Sequence, residues 1–135
     1  MARKQAREDA TQPEHYQSSE RTDWETPEWL FREMDRRFNF DIDVCANASN
    51  TKVGAFLSED DDGLEQSWDV PSSFSTLSQS GVPPFSVAWC NPPYGKQSTP
   101  RWVEKAWAES RTGMTVAVLV MACTETRWWA DFVWR

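Results

Sequence analysis

A doubly wound α/β domain is the fold class this sequence predicts, and three observations carry it. Helical and strand-like segments alternate along the chain in the order helix, strand, strand, strand, helix, strand, helix. The run "MTVAVLVMAC" is continuous, apolar and rich in β-branched residues, the pattern of a central strand in a parallel sheet. A second apolar run, Phe85 to Cys90, stops abruptly at Asn91-Pro92-Pro93, where two prolines can continue neither a helix nor a central strand.

Each element has its own signals. Residues 1–22 are polar without hydrophobic periodicity and read as a disordered tail, leaving one domain over 23–135. In "DWETPEWLFREMDRRF", Thr26 suits the N-cap and Pro27 the first helical position. Glu28 suits the positive helix end, and Leu30, Met34 and Phe38 recur every four residues. "FNFDIDVCA" reads as a short strand, and "KVGAFLSEDDDGL" as a second strand entering an acidic loop. "VPSSFSTLSQSGVPP" reads as a surface loop. "STPRWVEKAWAES" repeats the Thr-Pro helix start, with Trp102, Val103, Ala106 and Trp107 on one face, and "TETRWWADFVWR" opens a last helix.

Composition excludes several classes of function. The single histidine, His15, lies in the tail, and Cys45, Cys90 and Cys123 are far apart with no C-x-x-C pair. The thiols read as buried groups of a cytosolic protein; no metal and no histidine-based catalysis is expected. No apolar run reaches membrane-spanning length, and the polar N-terminus is unlike a signal peptide. The net charge of −7 argues against binding a polyanion mainly by counterion release. That charge is uneven: residues 1–89 hold 8 Lys/Arg against 17 Asp/Glu, whereas residues 90–135 hold 6 against 4.

Ligands of a doubly wound sheet bind beyond the carboxyl ends of its strands. Three polar clusters are expected there: Asp41 with Asp43, Glu59 to Asp62, and Asn91 to Tyr94. An acid after the first strand can meet an ammonium group, and one after the second a ribose diol. The helix start at Thr26 can receive a carboxylate. S-adenosylmethionine carries all three groups. A solvated acidic turn and a capping Asp43 remain open on spacing alone. The Asn91 stretch adds chemistry, since prolines remove backbone donors and leave acceptors, the Asn91 side-chain oxygen and the Pro92 carbonyl. Two acceptors converging on one –NH₂ bind both hydrogens and turn its lone pair toward an electrophile. Tyr94 can stack on the ring that carries the amine, and Gly95 lets the backbone turn away.

With these residues in view, the chain resembles the phage-type, Dam-like DNA N6-adenine methyltransferases. The matching pieces lie in order between residues 23 and 134: "DWETPEWLF", "FDIDVCA", "FLSEDDDGLEQSW", "WCNPPYG", "WVEKAWAE" and "VAVLVMACTETRWW". The resemblance implies a Rossmann-like sheet, S-adenosylmethionine as methyl donor, double-stranded DNA as partner and direct displacement on a flipped adenine. It also implies a phage or prophage origin, the bacterial cytoplasm, and a setting such as restriction-modification. Asn91, Pro92 and Tyr94 would form the methyl-transfer site. Thr26, Asp43, Cys45, Ala46, Glu59 and Asp60 would face the cofactor, and Lys96, Arg101 and Lys105 the DNA. For Arg101 and Lys105, a solvated helix face beside Glu104 and Glu109 is an equal alternative. The tryptophans, including Trp102, Trp107, Trp128 and Trp129, are expected mainly in the core rather than as stacking platforms. The stretch "DVCANASN" lacks the glycines common after the first strand, with Ala46 and Ala48 as substitutes. Because the chain stops at Arg135, the sheet is expected to be incomplete at its C-terminus. A truncated non-catalytic remnant and a protein glutamine methyltransferase are the alternative functions.

Overall fold

The computed structural model describes residues 24–74 and 85–134, so the tail and the middle of the Ser/Pro-rich loop lie outside the described residues. Helix α1 spans Glu28–Phe38, strand β1 Ile42–Asp43, strand β2 Val87–Cys90, helix α2 Ser98–Arg111 and strand β3 Thr115–Val118. A 3-10 turn covers Ser72–Phe74, and a π-helical turn covers Trp129–Val133. The strands form an open parallel sheet in the order β1-β2-β3, with Ile42 beside Ala88 and Ala88 beside Val116. Beyond β1, the expected second strand is reduced to one parallel bridge between Phe56 and Asp43.

Side-chain alternation along the strands sends successive residues to opposite faces. Ile42, Val44, Ala88 and Cys90 pack with Leu57, Trp68, Trp102, Ala106 and Met114, placing α2 over one face. Trp89 packs with Phe31 and Phe40 on the other, where α1 lies, and the Phe40 and Trp89 rings meet edge-on at 5.3 Å. A parallel sheet with a helix on each face is the layering that the sequence predicts. Three strands make it a small mixed α/β sheet, compatible with a Rossmann-like fold.

Four details depart from expectation. The cap of α1 is Pro27, whose carbonyl accepts from the backbone of Leu30 and Phe31; Thr26 is buried one residue earlier. Strand β3 is an edge of the described sheet rather than its centre, and Val116 and Val118 are only half-buried. The final helix contributes a π turn instead of an α-helix over its last turn, with Phe132 against Trp107. Trp68 and Trp89 join Trp102 in the core, whereas Trp107 is exposed and Trp128 and Trp129 half-buried.

Asp41 sits at the start of β1, not at its carboxyl end. One of its carboxylate oxygens accepts from Ser86 N at 2.8 Å, Ser86 Oγ at 3.0 Å and Val87 N at 2.9 Å. Its own N–H donates to Val87 O at 2.8 Å. These bonds fix the register of β2 against β1.

Candidate active site

Three connections leave the carboxyl ends of neighbouring strands and enclose a cavity of about 510 Å³. Its walls include Asp43 to Asn47 after β1, Leu57 to Glu59 and Asp62 to Leu64 after the Phe56 bridge, and Asn91 to Pro93 after β2. Residues Trp24 to Thr26 complete the rim.

Asp43 ends β1 and is only 3 % exposed. Its Oδ1 accepts from Cys45 N at 3.4 Å and its Oδ2 from Lys52 N at 3.2 Å, so the carboxylate also ties the loop together. Burial raises its pKa, against the lowering effect of those bonds and of the Lys52 charge. Burial, then the nearby charges of Asp43 and Glu59, pushes the Cys45 thiol up to about 12, which makes it a wall rather than a nucleophile.

The acidic turn divides its carboxylates between structure and cavity. Asp61 accepts from Ser58 N at 2.8 Å, Ser58 Oγ at 2.6 Å and Ser73 Oγ at 2.7 Å, bonds that lower its pKa. Glu59 and Asp62 line the cavity. Asp62 does so from the left-handed region, at φ 52°. Gly63 follows because a Cβ there would stand 2.6 Å from Val44 O and 3.0 Å from the Trp102 ring. Its carbonyl accepts from the Trp68 indole at 2.7 Å, anchoring the turn to the core.

At the end of β2, Asn91 is held at both ends of its amide. Its Nδ2 donates to Trp24 O at 2.7 Å, and its Oδ1 lies 3.0 Å from the Tyr94 hydroxyl. That hydroxyl is also 3.2 Å from Leu119 O, so one proton serves two acceptors. A carbonyl oxygen has two lone pairs, and Asn91 Oδ1 retains capacity for another donor. Pro92 is buried in the cavity wall. Ser98 Oγ donates to Pro93 O at 3.0 Å, and Gly95 N donates to Thr99 Oγ1 at 3.1 Å, which fastens the proline turn to α2. Burial raises the Tyr94 pKa and keeps its hydroxyl a donor.

The cavity therefore offers acceptors at Asn91, carboxylates at Asp43, Glu59 and Asp62, and an ammonium at Lys52. Among the described residues, no group of three or more His, Cys, Asp or Glu is placed to hold a metal ion. No helix among them is long and apolar enough to cross a membrane.

Comparison with known proteins meets this geometry from a second direction. Residues 14–133 match the family described as DNA N-6-adenine-methyltransferase (Dam). The chain belongs to that family. It is also 30 % identical over 108 residues to the DNA N-6-adenine-methyltransferase of Haemophilus phage HP1 (strain HP1c1). That similarity covers 78 % of this chain and 53 % of the relative, so the chain spans about half the relative's length. No solved structure matches it.

Of the residues that sequence reasoning assigned to this Dam-family chain, Thr26, Asp43, Cys45, Ala46, Glu59, Asn91 and Pro92 line one cavity. Asp60 does not; of these two exposed acids it is Asp62 that lines the cavity. Tyr94 stands behind Asn91 and is not in the wall. Lys96 and Arg101 are exposed. Lys105 is turned inward, with Nζ 2.5 Å from Glu109 Oε1 and 5.8 Å from the centre of the Trp68 ring, so it does not share a free surface with Arg101. Sequence reasoning missed Trp24 and Lys52, neither of which carried a signal, whereas Asp62 lay within the cluster Glu59 to Asp62 that it singled out.

Proposed function

We propose that this chain catalyses transfer of a methyl group from S-adenosylmethionine to the exocyclic N6 of adenine in double-stranded DNA. The observation that carries this reading is the convergence of Asn91-Pro92 and the buried Asp43 on one cavity at the ends of adjacent parallel strands. Its volume, about 510 Å³, lies within the range of about 300–1,000 Å³ usual for small-molecule sites. The donor set suits the cofactor: a carboxylate for the ammonium, and Glu59 or Asp62 for the ribose diol. When bound, S-adenosylmethionine supplies an electrophilic methyl on a positively charged sulfur.

The residues of the chain then act by position and electrostatics. Asn91 Oδ1 and the Pro92 carbonyl accept the two hydrogens of the adenine amine and leave its lone pair directed away from the acceptors. Trp24 O, by engaging Asn91 Nδ2, keeps that side chain from presenting its own –NH₂ to the substrate. A base in a duplex has to leave the stack to reach such a pocket. Tyr94 stands behind the acceptor and supplies the hydroxyl that orients it. Lys96 and Arg101, exposed near the start of α2, face the phosphates.

The test is label transfer from S-adenosylmethionine to unmethylated DNA, followed by nucleoside analysis. N6-methyladenine is the expected product. Methylated cytosine, label in protein, or no transfer by a folded chain that binds the cofactor would each overturn the reading.

A further inference from the structure

We propose that Lys52 and Asp43 form a clamp for a zwitterionic amino-acid group, in which Lys52 receives the carboxylate and Asp43 the ammonium. This rests on the cofactor reading above and adds a residue to it. The charge pattern of the cavity carries the inference. Among the described residues, the carboxylates of Glu25, Asp43, Glu59 and Asp62 line it, and Lys52 is the one cationic lining residue. A ligand that brings both an ammonium and a carboxylate into this space finds opposite charge for its anionic group at Lys52.

The backbone holds the two halves of the clamp in fixed relation. Lys52 N donates to Asp43 Oδ2 at 3.2 Å, so residues nine apart in sequence are joined at the site itself. The Lys52 side chain is 21 % exposed, and its Nζ lies 3.1 Å from Glu28 Oε2. Glu28 is a partner that can release it. Its side chain is 56 % exposed, and its Oε1 already accepts from Arg32 Nε at 3.0 Å. A ligand carboxylate that draws the lysine inward leaves Glu28 paired with Arg32. A charged hydrogen bond to the ligand is stronger than a neutral one.

The experiment titrates the full chain with S-adenosylhomocysteine and with 5′-methylthioadenosine, which shares the nucleoside and thioether but lacks the amino-acid group. For Lys52→Gln, affinity for S-adenosylhomocysteine is expected to fall about ten- to a hundredfold, the usual span for a charged hydrogen bond. Affinity for 5′-methylthioadenosine is expected to be the same in both proteins. Lys52→Arg keeps the charge and should retain most of the binding. Equal S-adenosylhomocysteine affinity in Lys52→Gln and wild type would overturn the clamp while leaving the cofactor reading intact. Equal losses for both ligands would assign Lys52 a purely structural role. A folded wild type that binds neither would overturn the cofactor reading itself, and the clamp with it.

Discussion

The carboxyl ends of β1 and β2 differ from that of β3, although all three belong to one parallel sheet. β2 lies between two strands and β1 has only the Phe56 bridge on its outer side, yet both are buried, and their last residues give way to polar turns around one cavity. β3 comes from the longest apolar run of the chain and, like β1, has a single strand neighbour among the described residues, yet Thr115 is exposed and the rest of the strand only half-buried. Apolar content thus marks a segment as a strand without ranking its depth. The candidate site lies where buried strands end in polar groups that need partners, such as Asp43 and Asn91.

The sharpest way to break this contrast is to remove packing from the enclosed side. Trp68→Ala deletes a fully buried ring and its bond to Gly63, and should lower stability by about 3–5 kcal/mol in urea unfolding. Val116→Ala on β3 should cost about 1 kcal/mol or less, because its side chain is only half-buried. Comparable losses would mean that the two sides are equally enclosed.

At the site, Asn91→Ala should reduce methyl transfer about a hundredfold or more, as expected when a preorganised polar group aimed at the reacting centre is lost. Near-native circular dichroism would separate this from unfolding. Tyr94→Phe removes one hydroxyl that serves two acceptors and should cost no more than about tenfold, the worth of one ordinary hydrogen bond. A loss as deep as that of Asn91→Ala would make the hydroxyl, not the ring, the working part.

Asp43 gives a prediction in pH. Burial raises its pKa in the folded chain, so on acidification the native state takes up this proton before the unfolded state does. Wild type should therefore gain stability relative to Asp43→Asn as pH falls from neutrality through the raised pKa, and lose that gain on return. Parallel pH profiles would show that the loop bonds to Asp43 cancel its desolvation. The smallest expected effect lies on α2. Lys96→Ala and Arg101→Ala should each lower the salt slope of DNA binding by about 0.9 if each meets one phosphate. Lys105→Ala should leave the slope unchanged, because its ammonium is committed to Glu109.

Much of this was legible in sequence because it depends on local chemistry. Two prolines after an apolar strand force a turn wherever it sits, and Leu30, Met34 and Phe38 imply a packed helix face whatever the partner. What escaped depends on partners distant in the chain. Lys105 looks like a surface cation until the Trp68 ring, far from it in sequence, joins Glu109 one turn along α2 in drawing it inward. Asp60 and Asp62 are equivalent in an acidic run; only in the folded turn, where Asp61 is bonded to Ser58 and Ser73 and Gly63 lies close to Val44, does Asp62 line the cavity and Asp60 not. Thr26 has capping chemistry, but Pro27 adopts the extended backbone of the cap and displaces it by one residue.

The Asp41 carboxylate has a consequence for how such a chain can change. It grips Ser86 and Val87 directly, across 45 and 46 intervening steps of sequence. The alignment of β2, and with it the place of Asn91, is set by that grip and not by the length of the connection. Doubling the length of a flexible connection costs only about 0.6 kcal/mol in closure entropy. Chain length can therefore change between Phe74 and Phe85 while the amide at position 91 stays where it is, so long as Pro71 stays buried and Ser73 keeps its bond to Asp61.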